Sequence, residues 1–148
     1  MKLAQLNIAK PKYALDHPLI KDFVDNLDKV NAIAESSEGF VWRLKEESGN
    51  ATGIKVFDDP DVIVNMSVWR DIASLKNFMF QTLHRDFMAR KKEWFEHLSQ
   101  QSYVLWWIAD DHLPTLDEAL ARLEHLRKEG ETAYAFSFKT ANNMARPE

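Results

Sequence analysis

The chain has 148 residues, 45% hydrophobic and 28% charged, enough for one domain with a real core and too ordinary a balance for a disordered segment. Its formal net charge of -4 lacks the surplus of Lys and Arg that general nucleic-acid binding demands. With no cysteine, disulfide frameworks, thiolate nucleophiles and Cys-ligated metals are excluded. The first residues do not read as a signal peptide, and no apolar run is long enough to span a bilayer, so the expectation is a cytoplasmic protein with neither membrane nor nucleic acid as partner.

Residues 3–9 alternate, with Ala4, Leu6 and Ile8 on one side and Gln5 and Asn7 on the other, and predict a first strand ended by Lys10-Pro11. Asp16 before His17-Pro18 marks a helix start. Leu19, Ile20, Phe23, Val24, Leu27, Val30, Ile33 and Ala34 then form an apolar stripe that stops at residues 36–39. Residues 40–46 predict a second strand, with Phe40, Trp42 and Leu44 on one face and Val41, Arg43 and Lys45 on the other. A turn-rich stretch at 48–53 leads to a short pairing strand at 54–57, broken by Asp58-Asp59-Pro60.

In residues 62–69, Val62, Val64, Met66 and Val68 alternate with Ile63, Asn65, Ser67 and Trp69. The period then becomes helical, with Asp71 as N-cap, then Ile72, Leu75, Phe78, Met79, Leu83 and Phe87; a break is expected near residues 81–84 and an end near His97. Residues 103–109, YVLWWIA, are apolar on both faces, so this strand is central or covered on both sides. Thr115 with Glu118 makes a capping box for a helix to Glu129, stopped by Gly130. A short strand at 134–138 and a frayed tail at 139–148 complete the chain.

This order predicts the α+β class: a ferredoxin-like βαββαβ core with an extra C-terminal helix and strand, in one domain over residues 1–148 whose core runs from about 3 to 138. Such a sheet carries helices on one face. The other, expected to hold Asn7, Arg43, Asn65, Ser67 and Trp69, needs cover, and a second copy is the simplest one, pairing as a dimeric α/β barrel.

His84 is the candidate for moving a proton or ligating a metal axially, because imidazole titrates near neutral pH. The competing reading is a packed helix histidine bonded to a carbonyl or carboxylate. Asn7, Arg43, Asn65, Ser67 and Trp69 are either the convergent polar groups of a small-molecule pocket or a wet dimer interface. Trp106 joins them as a candidate ligand contact, while Trp42 and Trp107 are read as core. Arg85, Arg90, Lys91 and Lys92 either seat an acidic ligand group or form a solvated helix face, and the solvated face is favoured. The five histidines show no HxH or HExxH spacing, and no GxSxG, P-loop or GxGxxG occurs, so no metal site is expected.

Residues 67–75, SVWRDIASL, followed by His84, resemble the strand-to-helix signature of the antibiotic-biosynthesis-monooxygenase group of the dimeric α/β-barrel superfamily. Asn7-Ile8, residues 39–44 (GFVWRL), Asn65, Glu93-Trp94-Phe95, Leu105-Trp106-Trp107 and Pro114-Thr115 extend the likeness to one bacterial family of that superfamily, a domain of unknown function. The resemblance implies a homodimer with a pocket in each half of the barrel, and a superfamily whose members range from oxygenases to haem-degrading enzymes. It gives Asn7 and His84 counterparts in the haem-degrading relatives, but Phe78 stands near their helix Trp and has no N–H to donate, which weakens that branch of the likeness.

The leading expectation is a monooxygenase-like homodimer that oxidises a small planar aromatic substrate without a built-in metal or flavin. Asn7, Asn65 and Trp69 would hold the substrate oxygen, and His84 would move the proton. The alternatives are a carrier of haem or another small hydrophobic ligand, and a structural dimer whose interior is filled by Trp69, Trp106 and Met66.

Overall fold

Four alternating stretches form one antiparallel sheet in the order β2-β3-β1-β4: β1 (Lys2–Ala9), β2 (Phe40–Arg43), β3 (Ile63–Trp69) and β4 (Tyr103–Ile108). They belong to a computed structural model that describes residues 1–45, 62–81 and 83–144, apart from the side chains of Leu83, His84, Phe87 and Asn142. The strand expected at 54–57, with its flanking turn and Asp58-Asp59-Pro60, lies outside the described residues. β1 and β2 run parallel with β3 between them, antiparallel to both, and β4 lies on the far side of β1. This is the split βαβ of the ferredoxin-like class.

The helices are α1 (Lys21–Asp25), α2 (Leu27–Ser36), α3 (Ile72–Gln81), α4 (Leu83–Ala89), α5 (Lys91–Trp94) and α6 (Leu116–Glu129). The stripe over residues 16–34, expected as one helix, is divided. His17 rather than Asp16 caps its first turn, its Nδ1 accepting from the Leu19 N–H at 3.0 Å. The helix breaks at Asn26, whose side-chain amide donates to the Asp22 carbonyl at 2.8 Å and so competes with the helical ladder. The second long stretch is helical over Ile72–Gln81 and over Leu83–Ala89, and the residue between them, where a break is expected, lies outside the described residues; the helix breaks at Arg90 and stops at Trp94 short of His97.

Asp71 caps α3, accepting from the Ser74 N–H at 2.8 Å. Partial burial alone would raise the Asp71 carboxyl, but hydrogen bonds from Ser74 and Arg70 hold it below the usual carboxylate value. Gly39 (φ +84°) lets the chain entering β2 lie against this turn, because a Cβ there would meet the Ser74 Oγ at 2.0 Å. Thr115 caps α6, accepting from the Glu118 N–H at 3.1 Å, and Gly130 ends it.

Three further expectations change. In β2, Phe40 pairs with Trp69 but Trp42 pairs with Val68, so one extra residue at Val41 breaks the alternation. Phe40 and Arg43 therefore share one face, and Trp42 joins the other. β4, at the edge of the sheet, is covered on both faces, as its apolar pattern predicts. In place of a strand at 134–138, a single bridge joins Phe136 to Leu105, their N–H and carbonyl groups exchanging bonds of 2.7 and 3.0 Å. The tail from residue 139 to 144 is also packed rather than frayed: Ala141 is buried, and the Trp107 indole donates to the Met144 carbonyl at 2.9 Å.

The largest correction concerns the two faces of the sheet. The face with Asn7, Arg43, Asn65, Ser67 and Trp69 is not left for a second copy: Ala34, Leu75 and Phe78, from α2 and α3, pack on it with Leu3, Trp69 and Leu105. The opposite face, with Leu6, Ile8, Val64, Met66, Val68, Val104 and Trp106, is covered by Ala119, Leu123 and Leu126 of α6. The sheet alternation was right, but both faces are covered by the same chain.

Candidate functional site

Register places the polar side chains in rows across the sheet. Arg43, Ser67, Gln5 and Leu105 are successive cross-strand partners, with Asn65, Asn7 and Tyr103 in the next row and Phe40, Trp69, Leu3 and Trp107 on the other side. All these residues point to the face that α1–α5 cover. Between that face and those helices is a cavity of about 930 Å³. Its walls include Phe78 and Met79 of α3, Val30 of α2, and Trp94 and Phe95 beyond the sheet edge.

The floor is a hydrogen-bonded unit centred on Ser67. Its hydroxyl oxygen accepts from the Gln5 Nε2 at 2.7 Å and from the Trp69 indole at 2.8 Å. Both lone pairs are thus used, which leaves the hydroxyl proton as the group Ser67 offers outward. Gln5 also donates to the Asn65 Oδ1 at 2.7 Å, an assignment that leaves the Asn65 amide as a donor. Asn7, directly opposite Asn65, forms no side-chain hydrogen bond among the described residues. Arg43 is nearly buried, and its Nε donates to the Glu35 Oε1 at 2.7 Å, which fixes the guanidinium at the rim.

Trp69 supplies an aromatic wall. Its ring stacks on Phe78 with centroids 5.2 Å apart and meets Phe40 edge-on at 5.4 Å. At the other end Phe23 of α1 stacks on Trp94 at 5.7 Å and meets Phe95 edge-on at 4.9 Å. The chemistry available is a flat apolar slot with hydroxyl and amide donors converging at one end, suited to an aromatic ligand bearing a carbonyl or phenol oxygen.

Five of the seven predicted site residues, Asn7, Arg43, Asn65, Ser67 and Trp69, line this cavity. Trp69 does so in a different role, since its N–H is committed to Ser67 and cannot also hold a ligand oxygen. Trp106 is the correction: pairing with Ala4 turns it to the opposite face, where it is fully buried beneath α6 and donates to the Glu118 Oε2 at 2.9 Å. His84 belongs to α4, and its side chain lies outside the described residues. Filling of the interior by Trp69, Trp106 and Met66 is overturned, because Met66 and Trp106 sit on the other face and the cavity remains. Sequence reasoning missed Gln5, the donor that links Ser67 to Asn65; its place beside Asn7 in the β1 alternation was the available signal.

Among the described residues no group of three His, Asp or Glu side chains is placed to hold a metal ion. Phe78, the residue that the resemblance sets near the helix Trp of the haem-degrading relatives, stacks on Trp69 and offers the cavity no N–H. No described helix is long and apolar enough to cross a membrane.

Comparison with solved structures places the fold. It is similar to NE2512, a protein of unknown function from Nitrosomonas europaea (15% identity, 77% of this chain and 95% of that one, TM-score 0.50). It is also similar to Rv0793 from Mycobacterium tuberculosis (11% identity, 76% and 100%, TM-score 0.51). A third likeness is to a Chloroflexus aurantiacus J-10-fl protein assigned by name to the antibiotic biosynthesis monooxygenases (16% identity, 76% and 97%, TM-score 0.50). No curated protein matches the chain. These likenesses establish a shared ferredoxin-like fold, and a family model matching residues 2–148 goes further: the chain belongs to the family described as Domain of unknown function (DUF3291).

Proposed function

We propose that this chain oxidises a small planar aromatic molecule with dioxygen in the cavity between the sheet and α1–α5, without a bound metal or flavin. The observation that carries the reading is the donor set of Ser67, Asn65 and Asn7 at the end of a slot walled by Trp69 and Phe78. The reaction class is suggested by the name of the Chloroflexus neighbour, which describes that protein.

In this proposal a phenol lies against the Trp69–Phe78 wall with its oxygen toward Ser67 and Asn65. As the phenol loses its proton, negative charge gathers on that oxygen, and donors already held by Gln5 and Trp69 stabilise it without reorganising. His84 moves the proton. A phenol with a free ring position then gives a quinone and water. One atom of dioxygen becomes the new ring carbonyl, the other leaves as water, and that water takes its hydrogens from the ring C–H and the phenol O–H. The homodimer expected from the resemblance belongs to the same proposal. Because α6 occupies the second sheet face, pairing sheet on sheet through that face is left out of the proposal. Sedimentation at micromolar concentration checks it, with twice the 17.2 kDa chain mass expected.

The test is oxygen consumption with 1-naphthol, followed with the absorbance of the quinone. Asn65→Ala is expected to lower the rate by about 10²–10³-fold while leaving the fold intact, the usual effect of removing one donor to a developing oxyanion. His84→Ala is expected to lower it by about 10²–10⁴-fold; less than tenfold removes His84 from proton transfer. Binding of naphthols without oxygen uptake assigns the cavity to carriage instead of turnover.

A further inference from the structure

The end of the cavity away from Ser67 has a charge pattern that an uncharged phenol leaves unused. Two short backbone bonds join residues 10–12 to residues 94–96, Lys12 N–H to the Trp94 carbonyl at 2.7 Å and Glu96 N–H to the Lys10 carbonyl at 2.8 Å, and together they make the bridge of Pro11 with Phe95. This seam brings Lys12 beside Lys91 and Lys92, and all three line the cavity. The Lys12 ammonium donates to the Lys92 carbonyl at 2.5 Å, so its charge is pinned at the mouth.

The neighbouring charges are already matched. Arg90 pairs with Glu93 at 2.9 Å and Asp22 at 3.2 Å and lies over the Trp94 ring, while Glu96, at the same mouth, is paired with Lys10 at 3.7 Å. Lys12, Lys91 and Lys92 form no ion pair among the described residues. Like charges held together at one point oppose folding unless something offsets them. All three are exposed, and they stand where the apolar slot opens to the surface.

We infer that the cavity takes a planar aromatic acid, with a carboxylate at Lys12, Lys91 and Lys92 and the ring oxygen toward Ser67 and Asn65. This rests on the pocket reading above and adds the class of ligand. Five residues separate Asn7 from Lys12, so the two ends lie at most about 17 Å apart along the chain, within reach of one fused-ring ligand and its acid group.

The experiment compares 6-hydroxy-2-naphthoate, whose hydroxyl and carboxylate stand at opposite ends of the fused rings, with 2-naphthol, both bound anaerobically and followed by quenching of the fluorescence of Trp69 and Trp94, which line the cavity. The naphthoate is expected to bind about tenfold more tightly or better, the usual advantage of a hydrogen bond to a charged group. That preference is expected to vanish in Lys12→Gln/Lys91→Gln/Lys92→Gln and to survive in Lys29→Gln/Lys139→Gln, which removes positive charge away from the cavity. It is also expected to shrink as ionic strength rises from about 0.01 to about 1 M and the Debye length falls from about 30 to about 3 Å. Equal binding of the two compounds, or a preference that persists in the triple variant, overturns the lysine site and leaves the pocket standing. Binding of neither compound overturns both.

Discussion

One face of the sheet is apolar throughout, the other carries Gln5, Asn7, Arg43, Asn65 and Ser67, and the two end in different states. Under α6, Leu6, Met66, Val68 and Trp106 interlock with Ala119 and Leu123, and the one polar atom of Trp106 is answered by Glu118. Under α1–α5, the same sheet leaves about 930 Å³ open. The difference comes from the layer above. α6 is one uninterrupted helix of 14 residues laid on the sheet, whereas the other face is roofed by shorter helices, broken at Asn26 and at Arg90. A broken roof follows no single groove of the sheet beneath it, and space is left over the polar rows. On this reading one face supplies stability and the other gives some up for space.

The sharpest way to break that comparison is to empty the filled face. Trp106→Ala is expected to cost about 3–5 kcal/mol, the range for a large aromatic removed from a packed core, seen as a lower urea midpoint. Ser67→Ala probes the other face and is expected to cost about 1–3 kcal/mol, because the buried Trp69 N–H loses its acceptor rather than because volume is lost. If the two variants destabilise equally, the faces do not divide their work in this way. Asp71→Ala, at the start of the roof, is expected to cost about 1 kcal/mol through the lost cap.

Asp71 also sharpens the comparison through pH. Its folded carboxyl lies below its unfolded value, so its contribution is fully present above the ordinary carboxylate range, near pH 4, and is lost as pH falls through the lowered folded value. The stability difference between the wild type and Asp71→Asn is therefore expected to shrink on acidification, as measured by urea unfolding at a series of pH values.

Much of this organisation was legible. The alternation of Gln5 and Asn7 against Leu6 and Ile8, the change of period at Asp71, and the Thr115–Glu118 cap are local signals, and each element stands where its signal put it. Trp106 was not legible. Both faces of β4 are apolar, so only its pairing with Ala4 decides which way it turns, and pairing is not a local property. The Val41 bulge was hidden for a similar reason, since Val41 continues the apolar run that it interrupts in space. The cover over Asn7 and Asn65 depended on which face each helix chose, and amphipathic stripes do not carry that choice.

The bridge between Phe136 and Leu105 has one more consequence. β4 ends the sheet on its side, and an edge strand offers its unpaired backbone to any other strand it meets, including the same strand of another copy. The returning C-terminal segment occupies that rung at Leu105, and the Trp107 indole holds the Met144 carbonyl just beyond it. The last stretch of the chain thus works as a doorstop against runaway growth of the sheet, and cutting it away would turn a closed edge into a template for aggregation.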